Sequence, residues 1–188
     1  MIKKIIMSIF LISTISFGYK YPVEKIHKDI DTLFSIVSDT HEIKINNNVL
    51  KLDMKRLMLQ TAMIESNFGR DKYRGRLAKT YLQIEEKSAK WYLSQVPELR
   101  DYIEDNIGRK IKWDRDSDAM FTAYLIYMSK IQQHSNWIDK FRKSKHFVGD
   151  LEYYVYKLYY NSIKGASTYS KWVKRENEYF DLKYKNNA

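Results

Sequence analysis

The chain contains no cysteine, and among its 188 residues there are only two prolines and six glycines. The first absence excludes disulfides, a thiol nucleophile and any cysteine-ligated metal. The scarcity of proline and glycine leaves long stretches without helix breakers, which predicts an all-α, mainly helical fold. Other chemistries are missing their fingerprints too. His27, His41, His134 and His146 do not form HExxH or any other metal-ligand spacing, so no metal is expected. There is no P-loop, dinucleotide-binding fingerprint or G-x-S-x-G elbow, so no cofactor is expected either.

Tyrosine and positive charge are what the chain has in quantity. Sixteen tyrosines supply flat amphipathic surfaces that suit a core rim or a carbohydrate groove, although an A+T-rich coding sequence enriches the same residue. At 44% hydrophobic and 30% charged the composition is that of a globular protein, and the length suits one domain with a sizeable core. Residues 1–18 read as a secretory signal. Lys3 and Lys4 follow Met1, Ile5 to Ile15 is apolar, and Ser16-Phe17-Gly18 places small residues where a signal peptidase reads, before Tyr19. The 14 residues from Ile5 to Gly18 fall short of a membrane span, so no stable membrane insertion is expected after cleavage; an uncleaved N-terminal anchor is the competing reading. Losing Lys3 and Lys4 lowers the formal charge from +10 to +8. An exported basic protein meets anionic envelope polymers before nucleic acid, so a nucleic-acid partner is not expected. Oligomeric state is not legible.

Taken in order, Val23, Ile26, Ile30, Leu33, Phe34 and Val37 have helical spacing, within an N-terminal helical extension assigned to 19–50. Ser38 to Asn48 reads as a polar loop with a short extended piece at Glu42 to Ile45. A helix from Lys51 or Asp53 to Ser66 or Asn67 opens the main domain, 51–182, with Asp53 as its cap and Gly69 as its stop signal. Asp71 to Lys79 reads as an exposed basic loop. Helices are expected over Glu85 to Gln95, over Glu98 to Asn106 with Gly108 closing it, and over Asp118 to Gln133. Further helices are expected at Trp137 to Phe141, at Leu151 to Tyr160 behind an Asp150 cap, and at Thr168 to Phe180. Residues 183–188 form a frayed tail.

One residue breaks the pattern. Met54, Leu57, Met58, Thr61, Ala62 and Glu65 lie on one face of the second helix, so a carboxylate takes a place where leucine is the natural choice. If Glu65 stays in that apolar stripe, burial disfavours its charged form and suits it to general acid catalysis. If the helix ends near Asn67, Glu65 instead turns into water. Downstream of it stand two further clusters, Tyr81-Leu82-Gln83-Ile84 and Tyr159-Tyr160-Asn161-Ser162, with 18 residues from Glu65 to Gln83 and 77 from Gln83 to Tyr160.

In this order, ESNFG, TYLQ and YYNSIKG resemble the motifs of the lysozyme-like superfamily, in particular lytic transglycosylases of the soluble type. That group's pattern is glutamate-serine, then Gly-Leu-Met-Gln, then Ala-Tyr-Asn-Ala-Gly, and the resemblance runs from about Lys51 to Phe180. It implies a lysozyme-like domain with a glycan-binding groove and peptidoglycan as the partner. It also implies that Glu65 is the catalytic acid/base and that Ser66 orients the glutamate or the substrate. Gln83 then lines the groove, Tyr160 lies near the catalytic carboxyl, and Asn161 holds that corner of the site. The chain departs from the pattern at Thr80, where glycine is usual, at Leu82 for methionine, and at Ser162-Ile163 for Ala-Gly. These changes bear on substrate fit and leave every chemical group in place.

The reaction implied is cleavage of the MurNAc-GlcNAc β-1,4 bond to leave 1,6-anhydro ends, by one glutamate acting in turn as acid and base. Two alternatives stay open. A hydrolytic lysozyme needs a second carboxylate, for which Asp71, Glu85 and Glu86 are the candidates. A module that binds peptidoglycan without cutting it needs none.

Overall fold

Helical spacing of apolar residues places α1 (Val23–Ile36), with Ile26, Ile30 and Leu33 buried against the rest of the core. The computed structural model describes residues 22–45, 47–66, 78–144, 147, 150–159, 169–174 and 176–177. After α1 come β1 (Thr40–Ile45), β2 (Asn48–Asp53) and α2 (Met54–Ser66), followed by the two-residue strands β3 (Ala78–Lys79) and β4 (Ile84–Glu85). Then follow α3 (Glu86–Leu93), α4 (Pro97–Ile107), a short 3-10 turn (Asp116–Asp118), α5 (Ala119–Arg142) and α6 (Leu151–Tyr159). Residues 169–174 are helical as well. The fold is mainly helical, as expected. Among the described residues no helix is long and apolar enough to cross a membrane.

The stretch expected to be a loop at Ser38 to Asn48 is half of an antiparallel hairpin. β1 pairs with β2 from Thr40 opposite Asp53 to Ile45 opposite Asn48. The signal is a period of two: Ile43, Ile45, Leu50 and Leu52 all face the core while the residues between them face water. Only two positions separate Ile45 from Asn48, the length that tight hairpin turns favour, and asparagine suits such corners. β2 therefore crosses residue 50, and α2 begins at Met54 rather than Lys51. Asp53 does cap it, accepting the Arg56 N–H at 2.8 Å.

The other helices follow their end signals. Pro97 opens α4, and Gly108 closes it at φ +68°, a left-handed residue that glycine adopts without strain. Asp150 caps α6 by accepting the Tyr153 N–H at 3.0 Å. The separate short helix expected at Trp137 to Phe141 is instead the end of α5, which passes through one irregular residue, His134 (φ −117°, ψ 15°). Ala119 to Tyr127 is buried without a break, so α5 is the central post on which α1, α2, α3, α4 and α6 pack.

α2 and α6 are fastened to each other at both ends. Arg56, near the start of α2, donates to Asp150 (2.8 Å) and Glu152 (3.1 Å) at the start of α6, and to Glu176 (2.9 Å). Glu65, near the end of α2, meets Tyr156 of α6. Like ends meet like, so the two helices run in the same direction.

Candidate active site

The stripe that singled out Glu65 is buried along its length. Met54, Leu57, Met58, Thr61 and Ala62 are closed to solvent, and Glu65 itself is 3% exposed. The carboxyl does not turn into water. The Tyr156 hydroxyl donates to its Oε1 at 2.9 Å, and the Tyr156 ring packs beside Trp172, which is fully buried. A phenol packed in this way restrains the carboxyl oxygen it touches. Ser66 is buried next to it, and its hydroxyl donates back along the helix to the Ala62 carbonyl at 3.4 Å.

Gln83 lies in the tight turn between β3 and β4. Thr80 (φ +63°) and Gln83 (φ +54°) are the only described residues other than glycine with positive φ. This conformation is costly for a β-branched side chain. Thr80 offsets part of the cost by accepting the Leu82 N–H on its hydroxyl at 3.3 Å, and its carbonyl accepts the Gln83 N–H at 3.2 Å. The Asp116 carboxylate accepts the Tyr81 N–H at 3.1 Å, tying the turn to the entrance of α5.

α6 connects this turn to Glu65. The Tyr159 hydroxyl donates to the Leu82 carbonyl at 3.0 Å, and its ring stacks on Tyr127 with centroids 5.1 Å apart. The Tyr127 hydroxyl shares a 2.7 Å hydrogen bond with Thr61, one turn before Glu65 on α2. Tyr156 and Tyr159, three residues apart, therefore project from one face of α6, one to the glutamate and the other to the glutamine turn. Beside that turn is a cavity of about 130 Å³ lined by Gln83, Ile84, Glu85, Ser88, Tyr92 and Tyr159 among others. Its walls mix hydroxyl, amide and carboxylate groups with aromatic faces.

Of the residues expected to form the site, Glu65, Ser66 and Gln83 are placed, the first and last joined through α6. Tyr160 and Asn161 lie outside the described residues, as does Asp71. Glu85 borders the cavity, and Glu86 pairs with Lys90 in the first turn of α3. Among the described residues no group of three or more acidic or histidine side chains is placed to hold a metal.

Sequence reasoning missed Tyr156, Tyr127, Tyr159 and Lys130. Lys130 was open to the argument that found Glu65: with Ala123 and Tyr127 it continues the buried stripe of α5 at spacings of four and three. It is 1% exposed. Its ammonium donates to the last carbonyls of α6, those of Leu158 and Tyr159 (3.0 Å to the latter), and sits 4.6 Å from the centre of the Tyr92 ring. Burial pushes its pKa down to about 8.

That shift has a definite sign. Below pH 8 the folded chain keeps a charge out of water that the unfolded chain leaves solvated, at a cost on the order of 3 kcal/mol. Between pH 8 and the ordinary lysine value of about 10.4, the unfolded state binds a proton that the folded state has released. Unfolding free energy contributed by this group therefore rises with pH through that window. The expected result is a gap between wild type and Lys130→Met that moves about 2 kcal/mol in favour of wild type from pH 7 to pH 10, read by urea denaturation. A gap that stays flat contradicts it.

No family model, curated protein or solved structure matches this chain.

Proposed function

We propose that the chain is an exported peptidoglycan-cleaving enzyme, a lytic transglycosylase with a lysozyme-like domain. The observation that carries this reading is Glu65: a carboxyl 3% exposed, at the end of an apolar helix face, engaged by a buried tyrosine hydroxyl. Such a group is expensive to bury for stability alone, which supports a part in proton-transfer chemistry. Thr80 adds support. The lytic transglycosylase pattern has glycine at this point, and the backbone here adopts the left-handed conformation that glycine favours, even though the residue is threonine.

In the proposed mechanism, neutral Glu65 gives its proton to the glycosidic oxygen as the bond from that oxygen to C1 of N-acetylmuramic acid breaks. The 2-acetamido group of the same sugar stabilises the developing oxocarbenium centre. Glu65, now a carboxylate, removes the proton of the 6-hydroxyl, and O6 closes on C1 to form the 1,6-anhydro ring. One proton leaves the glutamate and one returns, and no water is consumed. Gln83, the Glu85 carboxylate and the cavity between them provide hydrogen-bonding groups for the sugar chain, and Ser66, Tyr160 and Asn161 complete the proposed site.

One observation favours a second reading. Glu85 borders the same cavity as Gln83, where a second carboxylate could activate water and make the enzyme a hydrolytic lysozyme. Incubation of the purified protein with peptidoglycan, followed by mass analysis of the soluble muropeptides, separates the two. Anhydro ends are the expected result, reducing ends favour the hydrolase, and binding to insoluble peptidoglycan with no release excludes both.

A further inference from the structure

We propose that Lys130 is a positioning residue for the Glu65 site, an ammonium clamp on the end of α6 that fixes the two tyrosines holding Glu65 and the Gln83 turn. This rests on the functional reading above only for its activity measurements.

The geometry carries the argument. Lys130 belongs to α5, yet its hydrogen bonds go to the Leu158 and Tyr159 carbonyls, in the last turn of α6. A cation there meets the negative end of the helix dipole, and charged donors make stronger bonds to carbonyls than neutral ones. The same last turn carries Tyr159, bonded to Leu82, and one turn earlier Tyr156, bonded to Glu65. Moving the end of α6 therefore moves both contacts together. The Tyr92 ring below the ammonium also forms a wall of the cavity beside Gln83. A buried lysine is a poor choice for stability, since a methionine fills similar space without a charge to desolvate. Its value lies in what it holds.

Among the described residues, the titratable groups shown against the clamp are Tyr92 on α3, whose ring lies below the ammonium, and Tyr159 on α6, whose carbonyl it holds. Losing the proton from Lys130 would remove the charge assistance from both carbonyl bonds and the attraction to the Tyr92 face.

The test uses the full chain with Lys130→Met, and with Lys130→Gln as a second variant that keeps N–H donors without charge. Amide hydrogen exchange at Leu82–Gln83 is the first readout and requires no activity. Both variants are expected to lose protection there, more so in Lys130→Met, although both residues lie far from Lys130 in sequence. Peptidoglycan turnover is the second, with kcat falling ~10- to 100-fold and KM changing little, as a misplaced catalytic group requires. Because the chain has no other cysteine, Lys130→Cys can be alkylated with 2-bromoethylamine in denaturant and refolded, which restores an amine of similar length. Rescue of turnover is expected, with the alkaline fall in activity shifted to lower pH because that amine is more acidic than lysine's. Unchanged exchange at Leu82–Gln83 in both variants overturns the proposal. So does an alkaline limb that the restored amine fails to move. If wild type releases no muropeptides, the functional reading falls and the exchange experiment alone decides the role of Lys130.

Discussion

Glu65→Gln is expected to lose ~10²- to 10⁴-fold in the rate of muropeptide release while the protein keeps its fold. Glutamine has the same shape as glutamate and can still accept the Tyr156 hydroxyl bond seen at 2.9 Å, so the helix contact survives. The amide has no proton to give at working pH and cannot take one from the 6-hydroxyl, so both halves of the proposed reaction are lost together. Stability should move the other way. Glu65 is 3% exposed, and a neutral amide costs less to bury than a carboxylate that can ionise. Unfolding free energy should therefore be unchanged or higher by on the order of 1 kcal/mol, the usual exchange of stability for activity at a site. Rates from muropeptide analysis and urea midpoints on the same preparation check both parts. Retention of more than about a tenth of wild-type activity rules out Glu65 as the acid/base, given how much a positioned proton donor supplies.

The largest stability loss is expected at Arg56→Ala, about 3–5 kcal/mol. One guanidinium meets three carboxylates, through Nη1 and Nη2 to Asp150, Nη1 to Glu152, and Nε and Nη2 to Glu176. Its pKa is held well above the ordinary arginine value, first by the hydrogen bonds to Glu176 and then by Asp150, against the opposing effect of burial. The acids have other duties, which prevents them from swinging into solvent. Asp150 caps α6, and Glu152 accepts the Asp53 N–H at 2.8 Å where β2 passes into α2. Removing the cation leaves three acids close together with two of them buried, which is the costly way to break a buried ion pair. Arg56→Lys keeps the charge but not the planar fork, and about half the loss is expected to remain. Urea denaturation measures both. A loss below about 1 kcal/mol for the alanine variant would place this cluster among ordinary surface ion pairs.

Much of the helical frame was legible because its signals are local. Asp53 and Asp150 cap the helices they precede, Gly108 ends α4, and apolar spacing located α1, α2 and α5. The hairpin was not, since lysine, glutamate and asparagine dilute a six-residue alternation until it resembles a polar loop. His134 hid the length of α5 by interrupting its period. At the site, Glu65 stood out because a charge on an apolar face is visible in one helix alone. Its partnership with Tyr156 was not visible, because LEYYVYKLYY offers five tyrosines, and only the packing of α6 against α2 selects which one reaches the carboxyl. Lys130 shows the same limit: its burial could be read from spacing, whereas its carbonyl partners belong to another helix.

The contact between Glu65 and Tyr156 joins positions 91 apart in the chain. Bringing such distant segments together costs on the order of 4 kcal/mol in loop-closure entropy, which only the docking of α6 onto α5 and α2 can repay. Until that docking occurs, the glutamate has neither its phenol nor its apolar enclosure. A chain in which α6 has not yet docked thus carries an acid that is solvated and chemically ordinary. The enclosure of Glu65 is therefore made when α6 docks and not when α2 forms.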